Sequence, residues 1–347
     1  MTKVYLVRHA EAEGNLYRRA QGHYNSTITE RGYRQIAALA ERFKNVHIDA
    51  VYASDLWRTR TTALSICMPH GLPLNLAPEF REVCMGIWED KTWSQIEFEN
   101  ATGLRAFNTD AANWSIEGGE TLMAVRDRAL AKLRELIAKH DGETIAIFSH
   151  GMCLRMLVGT LQGLTLSEID KTHHAENTAV NYLECENGEI RVVYRDDASH
   201  LTDELSTLRG QAWLKSKNGF EGGIRFEKTA EEGAFAVVLD GKSVGRVSIA
   251  RIDGSVAEIG EDRLDEAHRG QGVGIRLLGQ ALSYARKKGC DTLRIRTRDE
   301  LGKKRAAQYD FTCVGEENGF EIYEKVFRYE DTYCRNKLRR AMEYDGK

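Results

Sequence analysis

Two histidines occupy equivalent places in the chain, and this constrains the fold more than any other feature. Val4-Tyr5-Leu6-Val7 is short, β-prone and continuously apolar, the pattern of a buried strand, and Arg8-His9 follows directly on it. Thr144 to Phe148 is a second such run, and Ser149-His150-Gly151 follows directly on that one. Ala50 to Ala53 reads as a further strand, leading into Ser54-Asp55-Leu56-Trp57-Arg58-Thr59-Arg60-Thr61. Helical patterns separate the strands. They run from Thr29 through Phe43 with Ile36, Leu39, Ala40 and Phe43 on one face, over 57–66, from Thr121 to Lys139 with Leu122, Val125, Ala129, Leu133 and Leu136 in a stripe, and from Gly151 to Gln162. Thr178 to Glu184 and Ile190 to Tyr194 read as two late strands. The alternation implies an α/β fold, a doubly wound and mostly parallel sheet with helices on both faces. Ligands of such sheets bind where the strands end at their carboxyl termini, so both histidines and an arginine converge on one rim.

The pattern changes near residue 200, and the boundary is placed in 197–212. Ala234 to Leu239, Asp240-Gly241 and Val244 to Ile249 read as a hairpin. A strand over Val256 to Leu264, a Gly-rich turn at 269–274, a helix from Val273 to Lys288 and a strand from Thr292 to Arg296 follow. The expected domains are therefore 1–200, an α+β unit over 205–330, and a polar C-terminal helix over 331–347. Arg335, Lys337, Arg339 and Arg340 of that helix are read as a solvated face.

Composition removes several function classes. The chain has 347 residues and a net charge of −3, and the halves either side of residue 200 carry −5 and +2, so no nucleic-acid partner is expected. Seven scattered cysteines with no CxxC pair argue against a disulfide framework or a cysteine zinc site; reduced thiols and a cytoplasmic setting are expected. The N-terminal apolar run fits no signal peptide, and no stretch approaches the roughly 18 apolar residues of a membrane span, so no membrane partner is expected. His173-His174 reads as a surface or loop pair rather than a metal site, since neighbours on a strand point oppositely. Oligomeric state is not readable.

The residues at the rim suit phosphoryl transfer. A neutral imidazole can attack phosphorus, guanidinium groups hold phosphate oxygens bidentately, and a carboxylic acid such as Glu82 can protonate the leaving oxygen, all without metal. Val7-Arg8-His9-Ala10-Glu11-Ala12-Glu13-Gly14-Asn15 resembles the "RHG" signature of the histidine phosphatase superfamily (phosphoglycerate mutase-like). The likeness continues through Gln21 to Ser26, Thr29 to Gly32, Ser54 to Thr61, Glu82 with Gly86, Glu117 to Glu120 and Ser149 to Gly151, covering about residues 1–195. It implies His9 as nucleophile, Arg8, Arg58 and His150 as the phosphate pocket, Glu82 as proton donor, and Asn15, Gln21 and Gly22 as accessory pocket positions. Arg60 is read as a helix-surface residue. Ala10 departs from the family's usual glycine. The compact stretch between Glu82 and His150 favours hydrolysis of a small phosphorylated metabolite over mutase-type transfer. Trp88, Trp93, Phe98, Phe107 and Trp114 in that stretch either line a substrate pocket or pack it on the body.

Arg269-Gly270-Gln271-Gly272-Val273-Gly274 sits between a strand and an amphipathic helix, where backbone N–H groups and a helix N-terminus favour an anion. The block resembles motif A of the GCN5-related (GNAT) acetyltransferases. The resemblance implies that Arg269, Gly270, Gly272, Val273 and Gly274 hold the pyrophosphate of acetyl-CoA, with acetylation of a small amine expected. Ala306 falls where that family often has a tyrosine general acid, and Tyr309, close in sequence, points elsewhere on a helix. A phosphatase with a non-catalytic CoA-binding module is the second reading, and a non-catalytic scaffold the third.

Overall fold

A computed structural model describes residues 1–211 and 223–344. The first part contains β1 (Thr2–Arg8), α1 (Glu13–Leu16), α2 (Glu30–Phe43), β2 (Ala50–Ala53), α3 (Trp57–His70), β3 (Leu74–Leu76), α4 (Trp93–Thr109), α5 (Leu122–Lys139), β4 (Thr144–Ser149), α6 (Gly151–Leu161), α7 (Leu166–Asp170), β5 (Val180–Glu186) and β6 (Glu189–Asp197). Its six-stranded sheet has the order β3-β2-β4-β1-β5-β6. β1, β2, β3 and β4 run parallel, and β5 and β6 are antiparallel. The fold is thus α/β with a mostly parallel sheet.

The physical reasons are local first. β1 is central and paired on both sides, so Val4, Leu6 and Val7 are fully buried. Thr29 caps α2 by accepting from the Gly32 N–H, and Thr121 caps α5 by accepting from Ala124. The α5 stripe Leu122, Val125, Ala129, Leu133 and Leu136 is buried as its spacing predicts. α3 runs four residues further than the pattern indicates, past Pro69, and stops at Gly71, whose φ of 65° is left-handed. Trp88, Phe107 and Trp114 are buried against one another, so these aromatics pack the Glu82–His150 stretch onto the body. Phe98 is exposed beside Arg225, and Trp93 stacks on Phe107.

α8 (Thr207–Gly210) leads to the second part: β7 (Arg225–Lys228), β8 (Ala234–Leu239), β9 (Lys242–Asp253), β10 (Val256–Leu264), α9 (Val273–Lys287), β11 (Thr292–Thr297), α10 (Glu300–Gln308), β12 (Thr312–Glu317), β13 (Phe320–Val326) and α11 (Asp331–Tyr344). Its sheet has the order β12-β13-β11-β10-β9-β8-β7. The β8–β9 turn has Asp240 and Gly241 at φ of 50° and 76°, as an Asp-Gly hairpin requires. β10 and β11 pair in parallel only over Val256–Glu258 with Thr292–Arg294, so the carboxyl halves of the two strands are not joined to each other.

The C-terminal helix corrects one expectation. α11 is polar on one side only: Arg335, Arg339 and Arg340 are exposed, but Cys334 and Leu338 are buried in a cluster with Tyr33, Ile36, Trp57 and Leu64 of α2 and α3. Burying a leucine there stabilises by about 1.5–3 kcal/mol, enough to strap the tail back onto the first sheet's helices. Lys337 pairs with Glu30 and lies over the Tyr33 and Tyr333 rings. No helix among the described residues is long and apolar enough to cross a membrane.

Candidate active site

Sheet register assembles the first site. Arg8 pairs with Ser149 and Ala53 with Phe148, so β1, β2 and β4 end at one level. His9 and His150 are the next residues, and their ring centroids are 5.3 Å apart. The His9 N–H donates to Ser149 O (3.0 Å), and the buried Asn177 amide donates to His9 O (2.8 Å).

The His9 ring is 3% exposed, and its Nδ1 lies 2.7 Å from Ala10 O. A carbonyl only accepts, so Nδ1 carries the hydrogen and the Nε2 lone pair is free. Burial first, then Arg58 and Arg8, push the His9 pKa well below 6.5, leaving a neutral imidazole at physiological pH. His150 is held neutral in the same way, by burial and then Arg58 and His9. Its Nδ1 accepts from Arg58 Nε (3.2 Å), and its Nε2 lies 2.9 Å from Ser54 Oγ.

Arg58 sits in the first turn of α3 and is fully buried. Burial lowers its pKa to about 10, so it stays charged at neutral pH. It donates to the carbonyls of Tyr24 (2.9 Å), Gln21 (3.2 Å) and Gly22 (2.8 Å). Gly22 has no room for a side chain, because a Cβ would run into Glu89 and the backbone at Val83. Gln21 Oε1 accepts from Ser26, and Asn15 Oδ1 accepts from the Ala12 N–H (3.0 Å), capping α1. Ala10 is buried, and its N–H donates to Thr62 Oγ1 (2.9 Å).

Glu82 follows a 3-10 turn and reaches the start of α6. Its Oε2 accepts from Met152 N and its Oε1 from Cys153 and Val83 N, each at 3.0 Å. Arg128 of α5 clamps that turn, donating to Glu79 O, Arg81 O and Glu82 O while paired with Glu120 at 2.9 Å. Arg8, the chain neighbour of His9, lies beside the start of α6, where a Cβ on Gly151 would sit 3.3 Å from its Nε. It donates to Ala175 O and lines a cleft of about 350 Å³, mouth included, with Arg155, His173, His174, Arg195 and Asp196.

The structure therefore brings His9, His150 and Arg58 together. It sets Glu82 against the Met152 and Cys153 N–H groups just after His150 and places Gln21 and Gly22 on the loop around Arg58, while Asn15 lies in α1 and caps that helix. Arg60 is elsewhere, over the Trp57 ring and 3.5 Å from Asp331. Sequence reasoning missed Ser54, Thr62, Arg128 and Asn177 as partners; only Ser54 lay in a block singled out for the site. His173 and His174 lie in a loop, and no metal-holding group of His, Cys, Asp and Glu occurs among the described residues.

The second site is mostly backbone. Gly270 and Gly272 have φ of 72° and 69°, and Gly272 caps α9 from the left-handed region. Arg269 Nε donates to Leu264 O (3.3 Å). Val273 is buried, so only its N–H is offered to the turn, and a Cβ on Gly274 would run into the Tyr309 hydroxyl at 2.6 Å. A cradle of left-handed glycines at a 15-residue helix start fits a pyrophosphate. Ala306 is buried; Tyr309 corrects an expectation, since it caps α10 just past the helix end and turns its hydroxyl toward Gly274 of the turn instead of pointing elsewhere.

Known proteins agree with this architecture. The family model for the histidine phosphatase superfamily (branch 1) matches residues 4–198, more than half of the chain. That for the acetyltransferase (GNAT) family matches 199–309. The probable phosphoglycerate mutase GpmB of Erwinia tasmaniensis is 35% identical over 164 residues, covering 47% of this chain and 76% of that protein. Among solved structures, Bacillus stearothermophilus YhfR is 29% identical with a TM-score of 0.56, covering 58% of this chain and 99% of its own. A mycobacterial glucosyl-3-phosphoglycerate phosphatase complexed with VO3 shares the fold at 24% identity and a TM-score of 0.54, covering 56% of this chain and 99% of that one. By sequence, fold and site geometry alike, the chain belongs to the histidine phosphatase superfamily, with a GNAT-family acetyltransferase domain joined to it.

Proposed function

We propose that the first domain hydrolyses a small phosphomonoester through a phosphohistidine on His9. The observation that carries this reading is the His9 ring: neutral, tautomerically fixed by Ala10 O, and facing His150 and a permanently charged Arg58. Nε2 attacks phosphorus and forms an N–P bond as the P–O bond to the leaving group breaks. The Glu82 carboxyl gives its proton to the departing oxygen. Water then attacks phosphorus, its proton passes to Glu82, and the N–P bond breaks to release phosphate. Arg8, Arg58 and His150 neutralise charge on the transferring oxygens, with Asn15, Gln21 and Gly22 closing the pocket. The buried packing of Trp88, Phe107 and Trp114 supports a compact Glu82–His150 stretch, the feature that favours hydrolysis over mutase-type transfer. Hydrolysis of p-nitrophenyl phosphate by the wild type and its loss in His9→Ala test the reading; an undiminished variant refutes it.

The second domain is read as binding acetyl-CoA, with Arg269, Gly270, Gly272, Val273 and Gly274 at its pyrophosphate and acetyl transfer to a small amine as the reaction. When bound, acetyl-CoA supplies the activated acyl group; the chain's own part is to orient it by backbone N–H groups. The buried Ala306 favours a second reading, a CoA-binding module without turnover. Acetyl-CoA consumption across a panel of amines separates them, since binding without consumption supports the second. The setting is read as cytoplasmic, from the free cysteines.

A further inference from the structure

The segment from Glu13 to Thr27 carries much of what surrounds the phosphoryl site. It supplies Asn15, Gln21 and Gly22, and three of its carbonyls receive the Arg58 guanidinium. Its two ends meet at a pair of contacts: Glu13 N donates to Thr27 O (3.0 Å), and Thr27 N donates to Glu13 Oε2 (3.4 Å). Among the described residues no cation of the first domain pairs with Glu13, although its side chain is only 1% exposed.

The compensating charge comes from the other domain. Arg286, in the last turn of α9, donates from one nitrogen to Glu13 Oε2 and from another to the Tyr24 hydroxyl. Its guanidinium carbon is 5.3 Å from the Tyr24 ring centroid and 4.9 Å from that of Phe327. Lys325 of β13 lies 4.0 Å from the second Glu13 oxygen and is itself paired with Asp310. Burial works against the charge on Arg286, but Glu13, Tyr24, Tyr329 and Asp90 together outweigh it and hold the guanidinium ionised. One side chain of the second domain therefore grips both arms of the segment, at Glu13 and at Tyr24. The packing around it is close. A Cβ on Gly279 would sit 3.0 Å from Tyr17 Cβ, Arg19 donates to Gly279 O (3.2 Å), and Ser283 donates to Asp90, the partner of Arg19.

We propose that Arg286 is a positioning residue for phosphoryl transfer: it holds Glu13 and Tyr24 so that the carbonyls of Gln21, Gly22 and Tyr24 aim Arg58 at the phosphoryl group. This rests on the reading of His9 and Arg58 given above. Removing the guanidinium leaves Glu13 buried without its main counter-charge. The segment then shifts to hydrate it, and a displacement of about 1 Å in a positioning group costs up to about 10²-fold in rate.

The test uses the full chain. Arg286→Met, Arg286→Lys, Tyr24→Phe and Lys337→Ala are compared with wild type by p-nitrophenyl phosphate kinetics, by calorimetric affinity for inorganic phosphate, and by melting temperature. Lys337→Ala is the packing control, because it breaks the pair between α11 and Glu30 of α2, which does not touch the 13–27 segment. The expected result is a fall in kcat/KM of about 10–100-fold for Arg286→Met, matched by weaker phosphate binding, with partial recovery in Arg286→Lys and none lost in Lys337→Ala. If Arg286→Met does not fold, Tyr24→Phe carries the test, with an expected loss of about two- to five-fold. Wild-type phosphate affinity in Arg286→Met, or an equal loss in Lys337→Ala, overturns the proposal; with Arg286→Met unfolded, an unaltered Tyr24→Phe does so. A wild type that binds phosphate but hydrolyses no ester refutes the phosphatase reading alone, since the affinity comparison still reads Arg286.

Discussion

The two ends of α9 hold contrasting kinds of site. At its start, the candidate CoA turn is built from backbone, with Gly270 and Gly272 in the left-handed region and few charged side chains committed. Beyond its far end, the phosphoryl site is built from buried side chains, each fixed by a partner: His9 by Ala10 O, His150 by Ser54 and Arg58, Glu82 by three N–H groups. A backbone cradle binds an anion by shape and dipole and tolerates side-chain change. A side-chain site depends on charge and tautomer and fails when one group is altered.

That contrast sets the order of expected effects. Arg58→Ala should lower phosphomonoester hydrolysis by about 10²–10³-fold, as removal of a preorganised donor does, and Arg58→Lys should recover little because a point charge cannot donate to His150 and three carbonyls together. Steady-state kinetics on both variants measure it; a lysine variant at wild-type rate would break the contrast.

The second effect is on stability. His9 and His150 are buried neutral, with folded pKa values below the unfolded value near 6.5. Their contribution is complete above about pH 6.5 and is lost as pH falls from there toward the folded values, each removing about 1.4 kcal/mol per pH unit. Denaturant unfolding at pH 7, 6 and 5 checks this. A flat profile would mean that the rings are solvated or charged in the folded chain.

The smallest effect belongs to the backbone site. Gly272→Ala places a Cβ at φ of 69°, a strain of about 1–2 kcal/mol, and should weaken acetyl-CoA binding measured by calorimetry. Unchanged affinity would remove the turn from the binding site.

What the sequence disclosed follows the same division. The α5 stripe, the Asp240-Gly241 hairpin and the limits of β10 were legible, because period and turn chemistry act within a few residues. His9, Arg58, Glu82 and His150 were legible as strand-end and motif residues. Arg128, Asn177 and Arg286 were not. Each acts through a partner at least 46 residues away, and nothing in its local pattern marks it. α11 was misread because its two buried residues, Cys334 and Leu338, are outnumbered by charges. β12 escaped notice because all six of its residues are exposed, and β13 because a charged residue, Lys325, takes one of its two buried positions.

The most direct measurement is a rapid acid-free quench of the enzyme during turnover of a ³²P-labelled phosphomonoester, followed by peptide mapping. The account predicts base-stable label on the peptide containing His9, absent from His9→Ala. Label on another residue, or hydrolysis at wild-type rate without His9, would contradict it.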